Sequence, residues 1–314
     1  MSLDLLAIGL TTLDVVARPI DALPADEGTA LIQGCECAPA GTAAAPAMIA
    51  ARLGLKTGLV SAVGDDMTGR LVRLGLESEG VDTRWLAVLP GAQTSTTLLP
   101  ISSAGRRPVL HAPGAGSFAE AAPEAMAAAA ASRFVHYGGV GGPKLDGGPG
   151  AEFLKAAKAG GAVVTCDLIA PRPSAMDELE RLLPFVDVFM PSAVEARGLT
   201  GEADLAAAAR RFVATGAGAC VIKNGAEGAV TLFDGEIAVV PAHVVEPVDT
   251  TSCGDSFCAG FIAGLARGWA PLEACRLGAA TAALVAQDLA TLGRLVDFDH
   301  TVATMRATPL RETA

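Results

Sequence analysis

The chain has 314 residues, of which 51% are hydrophobic and 18% charged, so it can bury the core of one large domain or of two ordinary ones. The formal net charge of -11 and the sequence pI of about 4.8, with no cluster of lysine and arginine, exclude a nucleic-acid binder, because phosphate neutralisation requires a basic patch. A phosphate-bearing ligand would have to be bound by a local device, such as a helix N-terminus, a glycine loop or a metal ion.

The cysteines and the N-terminus indicate the compartment. Seven cysteines are an odd number and show no C-x-x-C spacing, which favours reduced thiols. The N-terminal M-S-L-D-L-L-A-I-G-L has no basic region and contains Asp4, so it does not resemble a signal peptide. The apolar run Ala121–Ala131 contains Glu124 and predicts a soluble helix instead of a membrane span. We therefore expect a cytoplasmic protein that binds neither nucleic acid nor membrane.

Buried strands alternate with helices along most of the chain. The first elements are a strand at Leu3–Gly9, a helix at Thr42–Leu53, a strand at Thr57–Val63 and a helix at Thr68–Glu79. Further helices are predicted at Ala121–Ser132, Gly150–Ala159, Ser174–Leu183 and Leu205–Thr215. Further strands are predicted at Phe134–Tyr137, Ala162–Asp167, Val186–Met190 and Ala219–Lys223. Such alternation predicts βαβ units, and hence an α/β fold whose mostly parallel sheet is flanked by helices.

Two segments interrupt this alternation. Asp21–Cys37 and Gln93–His111 contain short strand-like and turn-like pieces without a helix between them, and a turn is predicted at Ala104 and Gly105. We expect them to pair into a small sheet that projects from the main body.

The C-terminal third contains a hairpin followed by two apolar helices. The strands Gly228–Phe233 and Glu236–Val240 flank the dipeptide Asp234-Gly235, the strongest hairpin signal in the chain. The helices are predicted at Gly254–Arg267 and Pro271–Gln287.

The start of the first of these helices, in the stretch D-T-T-S-C-G-D-S-F, is a candidate site. A helix N-terminus exposes unpaired N–H groups and a partial positive charge, and the small residues Ser252, Cys253 and Gly254 leave room for an anion. Asp255 is placed to accept a proton from a hydroxyl. An alternative interpretation is that Asp255 only complements the helix dipole, with Thr251 or Ser252 as the N-cap. These residues alone leave both interpretations open.

Several short motifs occur along the chain in a fixed order. They are A-G-T-A-A-A-P-A-M-I-A-A-R-L-G at 40–54, V-G-D-D-M-T-G at 63–69, E-G-V-D at 79–82, S-A-V-E at 192–195, V-I-K-N-G-A-E-G at 221–228 and D-T-T-S-C-G-D-S-F at 249–257. In this order they resemble the motifs of the PfkB, or ribokinase-like, family of carbohydrate kinases, whose C-terminal signature is D-T-T-G-A-G-D-x-F. The resemblance covers nearly the whole chain.

The resemblance implies ATP-dependent phosphoryl transfer to a hydroxyl of a small sugar. It implies a single domain over 1–314 with a Rossmann-like sheet and a β-sheet lid, formed by about 15–38 and 92–112. Asp255 would be the general base, and the backbone N–H groups at Ser252, Cys253 and Gly254 would form the anion hole. The substrate site would contain five residues, led by the hydroxyl-binding aspartate: Asp14, Thr12, Ala40, Gly41 and Thr42.

The resemblance also implies where ATP and the metal ions bind. The nucleotide would contact five residues, among them two turn glycines: Lys223, Gly225, Gly228, Ser192 and Gly254. Glu195 would hold Mg²⁺ through water, and Asp249, with carbonyls from the loop around Gly293, is a candidate K⁺ site. From the residues alone, Asp14 could be only a turn residue, Glu195 a solvated carboxylate and Lys223 an exposed side chain.

The chain departs from the family pattern at several positions. Ser252 and Cys253 replace glycine and alanine, Ser192 replaces the asparagine of N-x-x-E, and Ala40 and Ala45 replace a glycine and a sugar-contacting asparagine. Two alternatives therefore stay open, an adenosine-like nucleoside kinase and a catalytically weakened sugar-binding homologue. Residues 21–37 and 93–111 contain no Phe, Trp or Tyr on which a base could stack, which favours a sugar. A homodimer through the lid is also expected.

Overall fold

The computed structural model describes residues 3–169 and 175–312, and within them thirteen strands. The strands are β1 (Leu5–Gly9), β2 (Thr12–Arg18), β3 (Gly34–Ala40), β4 (Thr57–Gly64), β5 (Leu86–Leu89), β6 (Thr96–Pro100), β7 (Leu110–Ala112), β8 (Phe134–Gly138), β9 (Val163–Cys166), β10 (Val188–Phe189), β11 (Ala219–Lys223), β12 (Ala229–Phe233) and β13 (Glu236–Val240). Nine of them form one large sheet, in the order β13-β12-β11-β10-β9-β8-β1-β4-β5, in which only β12 runs opposite to the others, antiparallel to both β11 and β13.

Helices cover both faces of the large sheet. Their bounds are α1 (Ala44–Arg52), α2 (Met67–Ser78), α3 (Pro123–Ala130), α4 (Pro149–Ala159), α5 (Ala175–Leu182), α6 (Ala193–Thr200), α7 (Leu205–Thr215), α8 (Cys253–Ala266), α9 (Pro271–Val285) and α10 (Phe298–Ala307). Leu5 belongs to a buried cluster that includes residues of α1, α8 and α9, whereas its neighbour Leu6 belongs to one that includes residues of α3, α4 and α7. Because successive strand residues point to opposite faces, this alternation shows a sheet buried on both sides, which confirms the predicted α/β fold.

The strand order reverses beside β1. From β1 the chain proceeds to β4 and β5 on one side, whereas β8 to β11 follow one another on the other side. The carboxyl ends of β1 and β8 lie in register at Gly9 and Gly138, and a Cβ atom on Gly9 would lie only 2.3 Å from the Gly138 carbonyl oxygen. In open α/β sheets, ligands bind in the crevice at such a reversal.

A separate four-stranded sheet has the order β3-β2-β6-β7. The register places Asp14 beside Ala38 and Thr97 on one face, and Val15 beside Cys37 and Leu98 on the other. The sheet begins earlier than its sequence indicated, at Thr12, and residues 19–33 form no strand. The predicted turn is present, since Gly105 donates its N–H to Ser102 and has a φ of +75°.

The predicted elements of the large sheet and its helices are largely found, and α7, β11 and β13 have the predicted bounds. Besides β2, three elements were missed: β5 is four residues long, α6 contains a glycine near its end, and α10 is largely polar. The predicted start of α5 at position 174 lies outside the described residues. Within the described ranges, no helix is long and apolar enough to cross a membrane.

Candidate active site

The N-terminus of α8 lies at an irregular turn. Ser252 precedes the helix in the left-handed conformation, with φ 55° and ψ 12°, and its side chain makes no capping hydrogen bond. The first-turn N–H groups therefore receive no side-chain cap. The N–H of Cys253 donates to the Thr250 carbonyl at 3.4 Å, whereas those of Gly254 and Asp255 are available to an anion. The rest of the helix is apolar because it is buried: residues 256–264 are enclosed, mainly against α9.

Asp255 lies in the first turn of α8 and is half-buried. Its pKa is raised to about 8, first by burial and then by the negative charge of Asp167, while Lys223 and the Ser252 hydroxyl act in the opposite direction. A base works best when its pKa lies near the working pH, so this carboxylate is suited to accepting a proton from a hydroxyl.

A buried ion pair lies next to this helix end. The Nζ of Lys223 is 2.5 Å from Oδ2 of Asp167, and the two side chains are 10% and 3% exposed. The Sγ of Cys258 lies 3.5 Å from that Nζ and 3.4 Å from that Oδ2. A Cβ atom on Gly254 would lie 3.4 Å from Nζ, so the ammonium group adjoins the first turn of α8. Lys223 is therefore not simply exposed, and its positive charge sits at the candidate anion hole.

The small sheet contributes Asp14 and Thr12. Asp14 is 6% exposed, and its Oδ1 has no hydrogen-bond partner within the described residues. Burial raises the pKa of Asp14 to about 6, although the Thr97 hydroxyl and the positive charge of Arg107 lower it. The Thr12 hydroxyl also lowers the pKa of Asp14, and it contacts the carbonyl of Ser95 at 3.1 Å. A buried carboxylate oxygen without a partner is a suitable acceptor for a ligand hydroxyl.

Residues 40–42 connect β3 to α1 beside the crevice. Ala40 pairs with Thr12, and Gly41 has a φ of +101° and lies so close to Leu10 that a Cβ atom would be 2.6 Å from its carbonyl oxygen. The Thr42 hydroxyl donates to the Gly138 carbonyl at 2.6 Å, which ties this loop to the end of β8. Ala45 has no exposed surface and belongs to the core. The position thus has no polar group to offer a sugar.

A tight turn links β11 to β12. Asn224 and Gly228 pair through a 2.7 Å hydrogen bond, and both Gly225 and Gly228 have positive φ. A Cβ atom on Gly228 would lie 2.0 Å from the Val240 carbonyl oxygen, so the hairpin itself requires this glycine. A Cβ atom on Gly225 would meet nothing within 4 Å, which leaves that backbone open to a ligand.

Ser192 and Glu195 form a capping box at the start of α6. The backbone N–H and the hydroxyl of Ser192 both donate to Oε2 of Glu195 at 2.7 Å, and the N–H of Glu195 donates back to Ser192. Burial, followed by the charge of Asp167, raises the pKa of Glu195. The backbone of Ser192 also forms an isolated parallel β-bridge with the backbone of Lys223, so the capping box lies next to the ion pair. The second oxygen of Glu195 is free of these bonds and fits a water-mediated contact to Mg²⁺.

Asp249 is buried, and its carboxylate accepts hydrogen bonds from two loops, one at Thr251 and one at Ala290. Its Oδ1 accepts from the N–H and the hydroxyl of Thr251 at 2.8 and 2.6 Å, and its Oδ2 accepts from the N–H of Ala290 at 2.9 Å. These bonds fix the loop that leads to Ser252, and they bring Asp249 next to the loop that contains Gly293. The acidic side chain is therefore structural whether or not a cation binds nearby.

Comparison with known proteins decides the family. The family described as "pfkB family carbohydrate kinase" matches this chain over residues 2–294, which is nearly its whole length. The chain belongs to the PfkB family. The PfkB motifs identified in the sequence thus correspond to a true relationship, and the protein is a phosphotransferase of the carbohydrate-kinase type.

Relatives of this PfkB kinase include enzymes for sugars and for nucleosides. A fructokinase of Klebsiella pneumoniae is 31% identical over 260 residues, which are 79% of this chain and 81% of that protein. A nucleoside kinase of Methanothermobacter thermautotrophicus is 28% identical over 304 residues, covering 95% and 94% of the two chains. The structure of Arabidopsis thaliana ribokinase complexed with ribose and ATP shares the fold, with a TM-score of 0.81 at 22% identity over 98% of this chain and 99% of that one.

The PfkB kinase contains two charged residues near its site that the motifs did not reveal. Asp167 directly follows β9, and Arg107 lies between β6 and β7. The position of Asp167 at the carboxyl end of a predicted parallel strand was a usable signal, because ligand-binding side chains collect there. Nothing in the local sequence distinguished Arg107 from its neighbour Arg106.

Proposed function

We propose that this PfkB kinase transfers the γ-phosphoryl group of ATP to a hydroxyl of a small sugar or sugar derivative. The observation that carries the proposal is the position of Asp255, half-buried in the first turn of α8, with a pKa of about 8 and next to N–H groups that no side chain caps. Phosphoryl transfer is catalysed mainly by alignment and by stabilisation of negative charge, which this arrangement offers.

In the proposed mechanism, Asp14 accepts hydrogen bonds from acceptor hydroxyls and so orients the sugar. Asp255 then takes the proton of the attacking hydroxyl. The backbone N–H groups at Ser252, Cys253 and Gly254 stabilise the charge on the transferring group, and the adjacent ammonium of Lys223 adds a positive charge.

We assign the nucleotide and metal contacts to the residues around the ion pair. Gly225 leaves open backbone for ATP, Gly228 shapes the turn, and Ser192 adjoins Lys223. Glu195 would hold Mg²⁺ through water, and the ion would neutralise charge on the phosphate oxygens. We also propose K⁺ near Asp249. Turnover that is the same in K⁺ and in tetramethylammonium buffer would remove this cation from the proposal.

The proposal is tested by a coupled ADP-release screen over pentoses, hexoses, keto-deoxy acids and nucleosides, with Asp255→Asn as the control. We expect at least one acceptor to give turnover well above the control. If no alcohol does so, the kinase assignment for this site is lost, and a sugar-binding role would be the remaining alternative.

A nucleoside kinase is the second candidate, because the nucleoside kinase relative aligns over 95% of the chain. The segments 21–37 and 93–111, in and beside the small sheet, contain no Phe, Trp or Tyr for base stacking, so we favour a sugar. Nucleosides in the same screen separate the two candidates.

We further propose that the chain is a single domain, that the small sheet acts as its lid, and that two lids pair in a homodimer. One face of this sheet contains the register row Cys37, Val15, Leu98 and Leu110, in which the two leucines are 48% and 58% exposed. An exposed apolar face of this kind is typical of an association surface. A cytoplasmic location is consistent with seven cysteines that are all free thiols.

A further inference from the structure

The thiol of Cys258 completes a cluster of three polar side chains beneath the start of α8. Its Sγ accepts a hydrogen bond from Nζ of Lys223 at 3.5 Å and donates one to Oδ2 of Asp167 at 3.4 Å. Nζ and Oδ2 are themselves 2.5 Å apart. Cys258 has no exposed surface and otherwise belongs to an apolar cluster. Because buried charged groups are costly unless they are hydrogen-bonded, the thiol supplies a contact that an apolar side chain could not give.

The position of Cys258 along α8 places the thiol one turn below the candidate anion hole. Gly254 precedes it by four residues and Asp255 by three, so the three residues share one side of the helix. A Cβ atom on Gly254 would lie 3.4 Å from the Nζ of Lys223. The ammonium group therefore lies against α8 from the first turn, where the free N–H groups are, to the thiol in the next turn.

The two contacts of the Lys223 ammonium fix its orientation. An ammonium group has three N–H donors, of which Asp167 and Cys258 accept two. The residues that the structure describes supply no acceptor for the third. Because rotation about the Cε–Nζ bond moves all three donors together, two acceptors fix the direction of the third. Without the thiol, the ammonium group could turn about its single remaining hydrogen bond to Asp167.

We propose that Cys258 is a positioning residue for phosphoryl transfer, because its thiol holds the Lys223 ammonium with one N–H donor free for the transferring phosphoryl group. This inference rests on the proposed kinase function and deepens it. A donor that is aligned before the reaction stabilises developing negative charge without having to reorient. Loss of the thiol should therefore slow transfer more than it weakens binding of the acceptor, which Asp14 would hold from the small sheet.

The first test measures kcat and the KM for the best acceptor from the screen in Cys258→Ala and Cys258→Ser. Cys258→Ala should lower kcat about 5- to 20-fold and change that KM by less than about twofold. Cys258→Ser should keep most of the activity, because a hydroxyl can also donate to Asp167 and accept from Lys223. Cys275→Ala and Cys275→Ser are the matched controls and should leave kcat unchanged. Cys275 is equally buried in the same apolar cluster, and burial alone raises the pKa of its thiol.

The NMR signal of the Lys223 ammonium group gives a second readout that does not require turnover. Proton–nitrogen correlation spectra detect a lysine ammonium whose hydrogens exchange slowly with water, and Lys223→Met identifies the signal by its disappearance. We expect the signal in wild type, Cys258→Ser and Cys275→Ala, and its loss or broadening in Cys258→Ala.

Three results would overturn the proposal. They are a Cys258→Ser enzyme no more active than Cys258→Ala, an equal loss of kcat in Cys258→Ala and Cys275→Ala, or an unchanged Lys223 signal in Cys258→Ala. If wild type transfers phosphate to no alcohol, the kinase function is lost, and the NMR comparison still decides whether the thiol holds the ammonium group.

Discussion

The pKa of Asp255 is raised first by burial and is then adjusted by two charged neighbours. The negative charge of Asp167 raises the pKa of this carboxyl, and the positive charge of Lys223 lowers it. Because the two neighbours form a close pair, removing either one also exposes Asp255 to the uncompensated charge of the other. Substitution of either member of the pair should therefore shift the pKa of Asp255, and the pH dependence of turnover measures that shift.

The pH dependence of kcat/KM is the first prediction. Asp255 accepts a proton only when ionised, so kcat/KM should rise with pH and level off above about 8. Asp167→Asn removes a negative charge and should move this rise to lower pH, whereas Lys223→Met should move it to higher pH, each by roughly one unit. As a control, Asp187→Asn breaks the half-exposed pair with Lys158 and should leave the profile unchanged. Shifts in the same direction for both site variants would contradict the account.

Ser252 gives a second prediction at this scale. The residue adopts φ 55° and ψ 12°, a conformation in which glycine is not strained but a residue with a Cβ atom is. Ser252→Gly should therefore raise the free energy of unfolding by about 1 kcal/mol, measured by urea denaturation. A destabilised variant would show that contacts of the serine outweigh the strain.

At the scale of elements, the packing of α8 on α9 fixes the direction of the helix N-terminus. A Cβ atom on Gly260 would lie 2.3 Å from Oγ1 of Thr281 and 2.9 Å from the Cα of Gly278, so the helices touch almost backbone to backbone. An added methyl group would have to move one helix, together with the first turn that contains Asp255.

Gly260→Ala should consequently lower the free energy of unfolding by about 1–3 kcal/mol in urea denaturation and reduce kcat. Gly198→Ala in α6 is the matched control, because a Cβ atom there would meet nothing within 4 Å. That variant should gain up to about 1 kcal/mol from helix propensity. Equal effects of the two substitutions would show that close packing is not what fixes α8.

Elements with strong periodicity could be predicted from the sequence. Leu205–Thr215 and Ala219–Lys223 were placed correctly, because apolar spacing and the flanking turns specify a helix and a buried strand. The strand Thr12–Arg18 was missed, because the predicted strand-like segment began only at Asp21, and this strand pairs with β6, which is distant in sequence. The ion pair between Asp167 and Lys223 joins residues 56 positions apart, so no local pattern could reveal it. The motifs located the site, whereas the ion pair that acts on the pKa of Asp255 forms only in the tertiary fold.

At the scale of the whole molecule, the proposed site is divided between two sheets. Asp14 and Thr12 come from the small sheet, and Asp255 comes from the first turn of α8, which packs on the large sheet. Two hydrogen bonds link the parts near the site, from Arg18 to Val248 and from Thr291 to Pro39. An acceptor would therefore be enclosed only when both parts are together, as expected if the small sheet is a lid.

The proposed dimer gives the whole-molecule prediction. Leu98→Glu combined with Leu110→Glu places charge on the exposed face of the small sheet and should convert a dimer into a monomer in light scattering after gel filtration. Leu74→Glu, at a leucine of α2 that is 64% exposed, is the control and should leave the mass unchanged. A wild-type chain that is already monomeric at micromolar concentration would rule out the pairing.

The central claim is that Asp255 is the base of an ATP-dependent transfer to an alcohol. The most direct measurement is a rapid-quench single turnover with the best acceptor from the screen, comparing wild type, Asp255→Asn and the exposed-turn control Asp234→Asn. We predict that Asp255→Asn forms the phosphorylated acceptor at least about 100-fold more slowly, while the Kd for ATP changes by less than about threefold. The control should match wild type. Transfer by Asp255→Asn at the wild-type rate would contradict the account.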